Sequence, residues 1–330
     1  MVLIDSYGRK INYLRLSVTD RCNLRCIYCM PAEGVHKLRH QDILSYEELM
    51  LLSETAVRIG IEKIRVTGGE PLVRNGILDF LGNLSAIPQL RQLVLTTNGM
   101  LLQEMAGGLR RAGVQRLNIS LDSLRPETFA RITRCGDLGK VLTGIRIAEE
   151  ERFPIKLNMV VMRGINDDEV AEFARLTLLK PYTVRFIEYM PALNDPDWRS
   201  LVVPGEEILR RIAGAFRIQP IEREDTLSGP SKNYQIAGAA GAIGIITPIS
   251  SHFCGECNRI RVTSSGMAKG CLFDNKEFDL KPILRNGDRT ALEEALREIV
   301  SRKPGKSHFS DSDSDSDSAR KLFDMSKIGG

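Results

Sequence analysis

The segment Leu14-Arg-Leu-Ser-Val18-Thr-Asp-Arg-Cys22-Asn-Leu-Arg-Cys26-Ile-Tyr-Cys29 places three cysteines shortly after a short apolar run. The run Leu14–Val18 has the length and composition of a buried strand. The cysteines are spaced C-x3-C-x2-C, and thiolates are soft ligands that select iron–sulfur clusters, zinc or Cu(I). The segment therefore predicts a metal-binding loop that follows the first strand.

A structural zinc site is the alternative for this loop. Structural zinc takes four protein ligands, and no fourth cysteine or histidine lies in register here. Three thiolates on a cubane instead leave one iron open to a substrate or cofactor. The spacing therefore favours an iron–sulfur cluster.

Outward from this loop, short apolar runs alternate with amphipathic segments. The further predicted strands are Ile64–Thr67, Leu93–Thr96, Leu117–Leu121, Ile155–Val161 and Val184–Ile187. The predicted helices, with apolar residues at helical spacing, are Tyr46–Ile59, Asn75–Ala86, Leu101–Ala112, Lys140–Glu151 and Asp167–Leu179. Strand then helix, repeated about six times, predicts a parallel sheet with helical crossovers. Because six units are too few to close an eightfold barrel, we expect an α/β fold, an open partial (β/α)6 TIM-like barrel.

Polar and glycine-rich residues follow four of these strands. They are Thr67-Gly-Gly-Glu-Pro71, Thr96-Thr-Asn-Gly99, Ser120-Leu-Asp-Ser123 and Glu188-Tyr-Met-Pro191. Parallel barrels and α/β sheets place their active sites at the carboxyl ends of the strands. We therefore expect the active site at this edge.

The composition excludes several classes of protein. The 330 residues carry a net charge of only +4, which does not predict binding to nucleic acid. No apolar run approaches the roughly 18–20 residues of a membrane span, and the N-terminus does not read as a signal peptide. Seven cysteines, six of them in two groups of three, do not form a disulfide framework. We expect two metal sites in a cytoplasmic protein, with Cys135 as an incidental thiol.

The second group is Cys254-Gly-Glu-Cys257-Asn-Arg-Ile-Arg261 followed by Cys271. His252 could complete a zinc tetrahedron, so zinc remains an alternative here. Arg259 and Arg261 would share one face of a strand, and guanidinium groups match phosphate oxygens. Two arginines beside three thiolates predict a site for an anionic substrate, although Arg259 alone could belong to a solvated strand.

The strand–helix alternation stops near residue 200. We expect three parts: a barrel over 1–200, a C-terminal module with the second cysteine group over 201–302, and a flexible tail over 303–330. The tail contains a Ser-Asp repeat at 310–318, a composition typical of disorder.

The first cysteine loop resembles the signature of the radical S-adenosylmethionine (SAM) superfamily, with Tyr28 before the last cysteine. The run Thr67-Gly-Gly-Glu-Pro71 is similar to the GGEP motif of that superfamily, where glycines let the backbone approach the ligand. The resemblance implies a [4Fe–4S] cluster on Cys22, Cys26 and Cys29, whose open iron chelates SAM. An electron from that cluster would cleave SAM and release a 5′-deoxyadenosyl radical.

A narrower resemblance covers essentially the whole chain. His252-Phe-Cys-Gly-Glu-Cys-Asn-Arg-Ile-Arg-Val-Thr263, Arg65-Val-Thr-Gly-Gly-Glu-Pro-Leu-Val-Arg74 and the terminal Gly329-Gly330 are similar to the GTP 3′,8-cyclase family of molybdenum cofactor biosynthesis. The resemblance implies a second [4Fe–4S] cluster on Cys254, Cys257 and Cys271, with GTP bound between the two clusters. The radical would take hydrogen from C3′ of the ribose, and C3′ would then bond to C8 of guanine.

The resemblance also assigns site residues. Those matching GTP contacts are Arg15, Arg65, Thr96, Lys156, Arg259, Ile260 and Arg261; those matching SAM contacts are Tyr28, Gly69, Ser120 and Met190; those matching catalytic positions are Arg259, Arg261, Gly329 and Gly330. Arg15 and Lys156 are charges within apolar strand patterns, costly to bury unless an anion pairs with them. Met190 could equally fill the core.

The resemblance implies two partners, an external low-potential electron donor and the cyclic pyranopterin monophosphate synthase that receives the product. The homologues are often dimers.

Two other functions are compatible with parts of this pattern. One is a radical SAM enzyme with an auxiliary cluster that modifies a peptide or RNA. The compact Cys-Asn-Arg-Ile-Arg block and the di-glycine end argue against it. The other is a non-catalytic iron–sulfur sensor or electron carrier, which would need neither the GGEP loop nor cations inside strands.

The di-glycine end gives a testable prediction. A terminal Gly329-Gly330 is ordinarily a frayed end, but residues without Cβ atoms can enter a narrow passage, and in the resembling enzymes this tail reaches the active site. We expect Gly329→Ala, or deletion of both glycines, to depress GTP cyclisation strongly. Iron content and thermal stability should stay near those of the unaltered protein. Full cyclase activity in the truncated protein would assign these residues to a frayed end.

Overall fold

The computed structural model describes residues 2–35, 38–190, 197–222, 227, 229–274 and 276–306. Its strands are β1 (Tyr13–Ser17), β2 (Lys63–Thr67), β3 (Gln92–Thr97), β4 (Arg116–Ser120), β5 (Ile155–Val161), β6 (Thr183–Glu188), β7 (Ile218–Ile221), β8 (Lys232–Ile236), β9 (Ala242–Ile246), β10 (Arg259–Val262), β11 (Met267–Lys269) and β12 (Phe278–Asp279). Its α-helices are α1 (Tyr46–Ile59), α2 (Ile77–Ser85), α3 (Leu102–Arg111), α4 (Pro126–Thr133), α5 (Leu138–Glu150), α6 (Val170–Leu179), α7 (Gly205–Ala215), α8 (Lys281–Asn286) and α9 (Arg289–Ser301).

The strands form one sheet whose centre is parallel. Strands β1 to β6 are neighbours in chain order, and each pairs in parallel with the next. This confirms the predicted open partial barrel. Strands from the second half extend both edges of the same sheet: β9 adds in parallel to β6, and β10 adds in parallel to β1. The second cysteine group therefore begins just before a strand that pairs with the first strand of the barrel. The division at residue 200 stays a prediction.

The helices begin and end where local chemistry favours it. Helix α1 starts at a capping box, in which Ser45 and Glu48 satisfy each other's backbone N–H groups, and it ends at Gly60 with a φ of 123°. The sequence did not predict α4, an eight-residue helix that opens with Pro126. It is too short to show a sustained helical period. Asp167–Glu169 forms a 3-10 turn ahead of α6.

Residues on the barrel strands alternate between two environments, as the two-residue period of a strand requires. One face is apolar: Leu14 and Leu16 of β1, like Ile64 and Val66 of β2, belong to the hydrophobic core and are at most 1% exposed. The other face is largely polar and lines the interior of the barrel. Burial of the apolar face beneath the helices holds the sheet, which leaves the inner face free for chemistry.

The described part of the predicted tail is residues 303–306. Lys303 is buried, and the Arg9 guanidinium donates to the Pro304 carbonyl oxygen at 2.8 Å. These first residues are therefore packed against the rest of the chain. The Ser-Asp repeat, Gly329 and Gly330 lie outside the described residues. Among the helices that the structure describes, none is long and apolar enough to cross a membrane.

Candidate active site

All six cysteines of the two predicted groups line one cavity at the carboxyl ends of the barrel strands. We call Cys22, Cys26 and Cys29 the first triad, and Cys254, Cys257 and Cys271 the second triad. The same cavity is lined by the GGEP loop and by arginines of β1, β2, β6 and β10. Residues distant in sequence thus share one chamber, as the strand-end positions predict.

The GGEP loop and the loop of the first triad fix each other through the backbone. Gly69 donates its N–H to the Thr19 carbonyl oxygen at 2.7 Å, and Glu70 donates its N–H to the Arg21 carbonyl oxygen at 2.8 Å. A Cβ on Gly69 would lie 2.3 Å from the Arg21 oxygen, so no larger residue fits without backbone movement. Glycine here is required by the close approach of these two loops.

Side chains that the sequence analysis missed complete the support of the first triad. The Tyr28 hydroxyl donates to the Asp122 carboxylate at 2.8 Å, which ties the triad loop to the end of β4. The Asn98 amide donates to the Asn23 side chain at 2.7 Å and lies 3.8 Å from the Cys22 sulfur. Asp122 and Asn98 both follow strands, and this position at the strand ends is the feature of the sequence from which their place in the site could have been predicted.

The two triads lie in opposite electrostatic environments. Burial, with a contribution from the Glu70 carboxylate, raises the pKa of the Cys22 thiol to about 11. Burial would also raise the pKa of the Cys257 thiol, but the positive charges of Arg259 and Lys303 outweigh it and lower that pKa to about 6. Of these two thiols, Cys257 is therefore the more readily ionised by its surroundings, while ionisation of Cys22 depends on the metal that it binds.

The positions of the thiol groups bear on whether either triad would hold zinc. In the part of the chain that the structure describes, no three His, Cys, Asp or Glu side chains are grouped to hold a single metal ion. A cubane does not require such a group, because each thiolate binds a different iron. Two sets of three thiolates in one cavity are therefore a donor set suited to two cubanes, each with one open iron.

A row of buried arginines crosses the inner face of the sheet. The strand register places Arg15 of β1 directly between Arg261 of β10 and Arg65 of β2. Arg259 lies on the same face of β10, and all four side chains are at most 9% exposed. The solvated-strand alternative for Arg259 is therefore wrong. Burial, and then the neighbouring guanidinium of Arg259, lowers the pKa of Arg261 to about 10.

Arg185 of β6 also lines the cavity, and the sequence analysis missed it although it interrupts an apolar strand as Arg15 does. Its Nε, like that of Arg65, is buried without a hydrogen-bond partner among the described residues. The same holds for the Thr96 hydroxyl and the Asn158 side-chain oxygen. Unsatisfied buried polar atoms are costly, so this face is built to receive a polar ligand.

The predicted contact residues are distributed as follows. The SAM positions Tyr28, Gly69, Ser120 and Met190 all line the cavity, as do the GTP positions Arg15, Arg65, Thr96, Arg259 and Arg261. Ile260 belongs to the hydrophobic core on the opposite face of β10, so only its backbone can meet a ligand. Lys156 does not line this cavity; it precedes Asn158 by two residues on the same face of β5. Cys135 is exposed and lies outside the cavity wall.

Family models divide the chain into two regions. Residues 16–177 match the model of the radical SAM superfamily, and residues 182–309 match a model described as Molybdenum Cofactor Synthesis C. Among solved structures, Streptococcus suis SuiB superposes with a TM-score of 0.60 at 12% identity, covering 88% of this chain and 69% of that one. The fold is thus that of the radical SAM proteins.

Relatives that match the full length of the chain show which family of radical SAM proteins it belongs to. A protein of Geobacter sulfurreducens named GTP 3′,8-cyclase is 61% identical over 100% of both chains. One of Alkaliphilus oremlandii with the same name is 46% identical over 99% of both. The chain belongs to the GTP 3′,8-cyclase family.

The charge of Lys156 gives a prediction that can be tested with inorganic triphosphate. Burial, and then the cations Arg185, Arg116, Lys63 and Arg65, lowers the pKa of Lys156 to about 6. The free amine is therefore mostly neutral at pH 8, and an anion bound beside it restores the charge. We expect triphosphate binding to take up as much as about one proton at pH 8, with affinity falling as the pH rises above 6.

Isothermal titration calorimetry in buffers of different ionisation enthalpy measures this uptake. The free amine becomes charged as the pH falls through 6, so the uptake should be about half as large at pH 6 and should vanish well below it. The matched variant Lys156→Met should lose it at every pH. Equal uptake by Lys156→Met and the unaltered protein at pH 8 would exclude this lysine as the proton acceptor.

Proposed function

We propose that the chain is a radical SAM lyase that converts GTP to (8S)-3′,8-cyclo-7,8-dihydroguanosine 5′-triphosphate, an early step of molybdenum cofactor biosynthesis. The observation that carries the proposal is the single cavity shared by two cysteine triads, the GGEP loop and the row of buried arginines. A sensor or electron carrier would have no use for unpaired polar atoms on that face. Family membership supports the same activity.

The first triad would hold a [4Fe–4S] cluster with SAM on its open iron. Bound there, cluster and SAM together supply a one-electron cleavage that yields a 5′-deoxyadenosyl radical. The chain's own residues position the cofactor: Gly69 offers its backbone to the methionine moiety, and Ser120 and Met190 offer their side chains from the ends of β4 and β6. Tyr28, hydrogen-bonded to Asp122, keeps the triad loop against the barrel.

The second triad would hold the other cluster, with the guanine of GTP on its open iron. Arg15, Arg65, Arg259 and Arg261 bind the triphosphate, and the Arg185 guanidinium across the barrel adds a further charge. Binding at both ends would fix the ribose between the two sites, with C3′ placed to lose its hydrogen atom when SAM is cleaved. Formation of the bond from C3′ to C8 would then need one electron and one proton to give the dihydro product.

Two partners follow from this chemistry as part of the proposal. An external low-potential electron donor supplies the electrons, because the cleavage of SAM consumes one electron of the first cluster in each turnover. The product is passed to the cyclic pyranopterin monophosphate synthase.

Iron content measured with product formation tests the function directly. Anaerobically reconstituted protein should hold about eight irons, as two cubanes, and should form the cyclised nucleotide from GTP and SAM. Cys22→Ser should abolish SAM cleavage, since the first cluster would lose a ligand. Cys271→Ser should retain slow uncoupled SAM cleavage but lose cyclisation.

Cys135, whose thiol is exposed, offers a control. Cys135→Ser should leave iron content, SAM cleavage and GTP cyclisation unchanged. Stoichiometric zinc with only one cluster, after strictly anaerobic purification, would contradict the two-cluster assignment. Two clusters and SAM cleavage without a GTP-derived product would leave a radical SAM enzyme with another substrate.

The arginines give a separate prediction for binding. Removal of a charge-assisted contact to phosphate costs about 1.5–3 kcal/mol, which is roughly 10- to 150-fold in affinity. We expect Arg259→Ala and Arg261→Ala each to weaken GTP binding in this range while both clusters assemble. Equilibrium binding of GTP, with iron content as the control, measures the effect. Normal GTP affinity in either variant would remove that arginine from the binding site.

A further inference from the structure

Lys303 is a buried charge that the proposed function does not use. It follows α9, where the sequence predicted the start of a flexible tail, yet it is only 2% exposed. Its ammonium reaches the second triad: Nζ lies 3.3 Å from the Cys257 sulfur. A lysine is rarely buried to this extent without partners, because an unpaired buried ammonium is costly.

All three N–H groups of this ammonium have acceptors. Besides the Cys257 sulfur, Nζ donates to the Arg259 carbonyl oxygen at 3.0 Å and to the Gly270 carbonyl oxygen. An ammonium has three donors, so none remains for a substrate anion. Gly270 immediately precedes Cys271, and the lysine therefore joins the backbone beside one cysteine of the triad to the sulfur of another.

The position of Lys303 is set by helix α9, which packs on the barrel and also contacts the segment before Cys271. Helix α9 packs on α1, with ion pairs from Arg58 to Glu293 and from Arg289 to Glu54. The backbone at the end of α9 is also close to Gly270, since a Cβ there would lie 3.2 Å from the Ile299 oxygen. Helix α9 is thus held by α1, and its end brings the lysine against the segment that carries Cys271.

We infer that Lys303 is a positioning residue of the second triad, whose hydrogen bond to the Cys257 sulfur raises the reduction potential of the cluster held there. The inference rests on the proposed function, because it needs a cluster on the second triad. Hydrogen bonds to the sulfurs are among the factors that set the potentials of iron–sulfur clusters. A positive charge beside a thiolate favours the reduced cluster, which carries one more electron.

Arg259 is the other cation near this sulfur, and its geometry is weaker. Its Nη2 lies 4.0 Å from the Cys257 sulfur, and its guanidinium lies over the Phe253 ring at 5.2 Å from the centroid. Lys303 is closer and directed at the sulfur. The hydrogen bond to the sulfur is therefore assigned to Lys303, while Arg259, whose charge also acts on this sulfur, faces the cavity.

The test is a redox titration of the second cluster in the full-length chain. Serine at Cys22, Cys26 and Cys29 removes the first cluster, so that the electron paramagnetic resonance signal reports the second alone. In this background Lys303→Met should shift the oxidised-to-reduced equilibrium about tenfold toward the oxidised form, a fall of about 59 mV for one electron. Arg302→Met is the matched control, because Arg302 is the adjacent residue and 59% of its side chain is exposed. It should leave the potential unchanged, since water screens its charge.

Each outcome decides the question. A fall in potential in Lys303→Met alone supports the inference, and an unchanged potential overturns it. If Lys303→Met cannot hold the cluster, the inference is supported when Lys303→Arg, which keeps the charge and the donors, retains the cluster. If both variants lose the cluster and the metal-free protein has lowered thermal stability, the inference is overturned in favour of a role of Lys303 in folding. Absence of a second cluster in the chain with native Lys303 overturns the proposed function and this inference together.

Discussion

The burial of adjacent positive charges on the inner face of the sheet is the constraint on which the rest of the molecule depends. Arg261, Arg15 and Arg65 occupy directly paired positions on three neighbouring strands. Burial, and then the charge of Arg261 on the neighbouring strand, lowers the pKa of Arg15, so keeping these cations charged side by side costs free energy. Carboxylates do line the cavity, but Glu70 and Glu188 are satisfied by backbone N–H and hydroxyl groups instead of these arginines.

The opposite face of the same strands compensates for this cost. Arg15, Arg65 and Arg261 are each flanked along the chain by apolar residues, such as Leu14 and Leu16 around Arg15, which belong to the hydrophobic core. Burial of an aliphatic side chain contributes about 1.5–3 kcal/mol, and the core extends beneath every barrel strand. The barrel can therefore keep an unfavourable polar interior, and an anion that enters it relieves repulsion that already exists.

The alternation of charged and apolar residues was readable in the sequence, but only in part. The positions of the six barrel strands were predicted to within about one residue, and α1 was predicted with its observed bounds, because the apolar periods are strong there. No positions were predicted for β7 to β12. Arg15 and Lys156 were recognised as charges within strands, whereas Arg185 shows the same pattern and was missed. Pairing was not predictable: β10 is 242 residues or more from β1 in the chain, and no local signal states that they are neighbours. Lys303 carries no motif, and its role depends entirely on where α9 docks.

The surroundings of the two triads separate the tasks of two otherwise similar sets of thiolates. Glu70 and Asp122, both buried, contribute to raised pKa values at the first triad, whereas Arg259 and Lys303 lower the pKa of Cys257 at the second. Burial raises the pKa of Glu70 to about 7 and that of Asp122 to about 6, so these groups are negative only where the pH is high enough to ionise them. Their ionised forms oppose the addition of an electron and so make a reduced cluster a stronger reductant. Positive surroundings favour the electron-rich form and attract anions, which suits a cluster that binds a nucleotide triphosphate. The two cations at the second triad thus differ in position: Lys303 donates to the Cys257 sulfur, whereas Arg259 lines the cavity beside it.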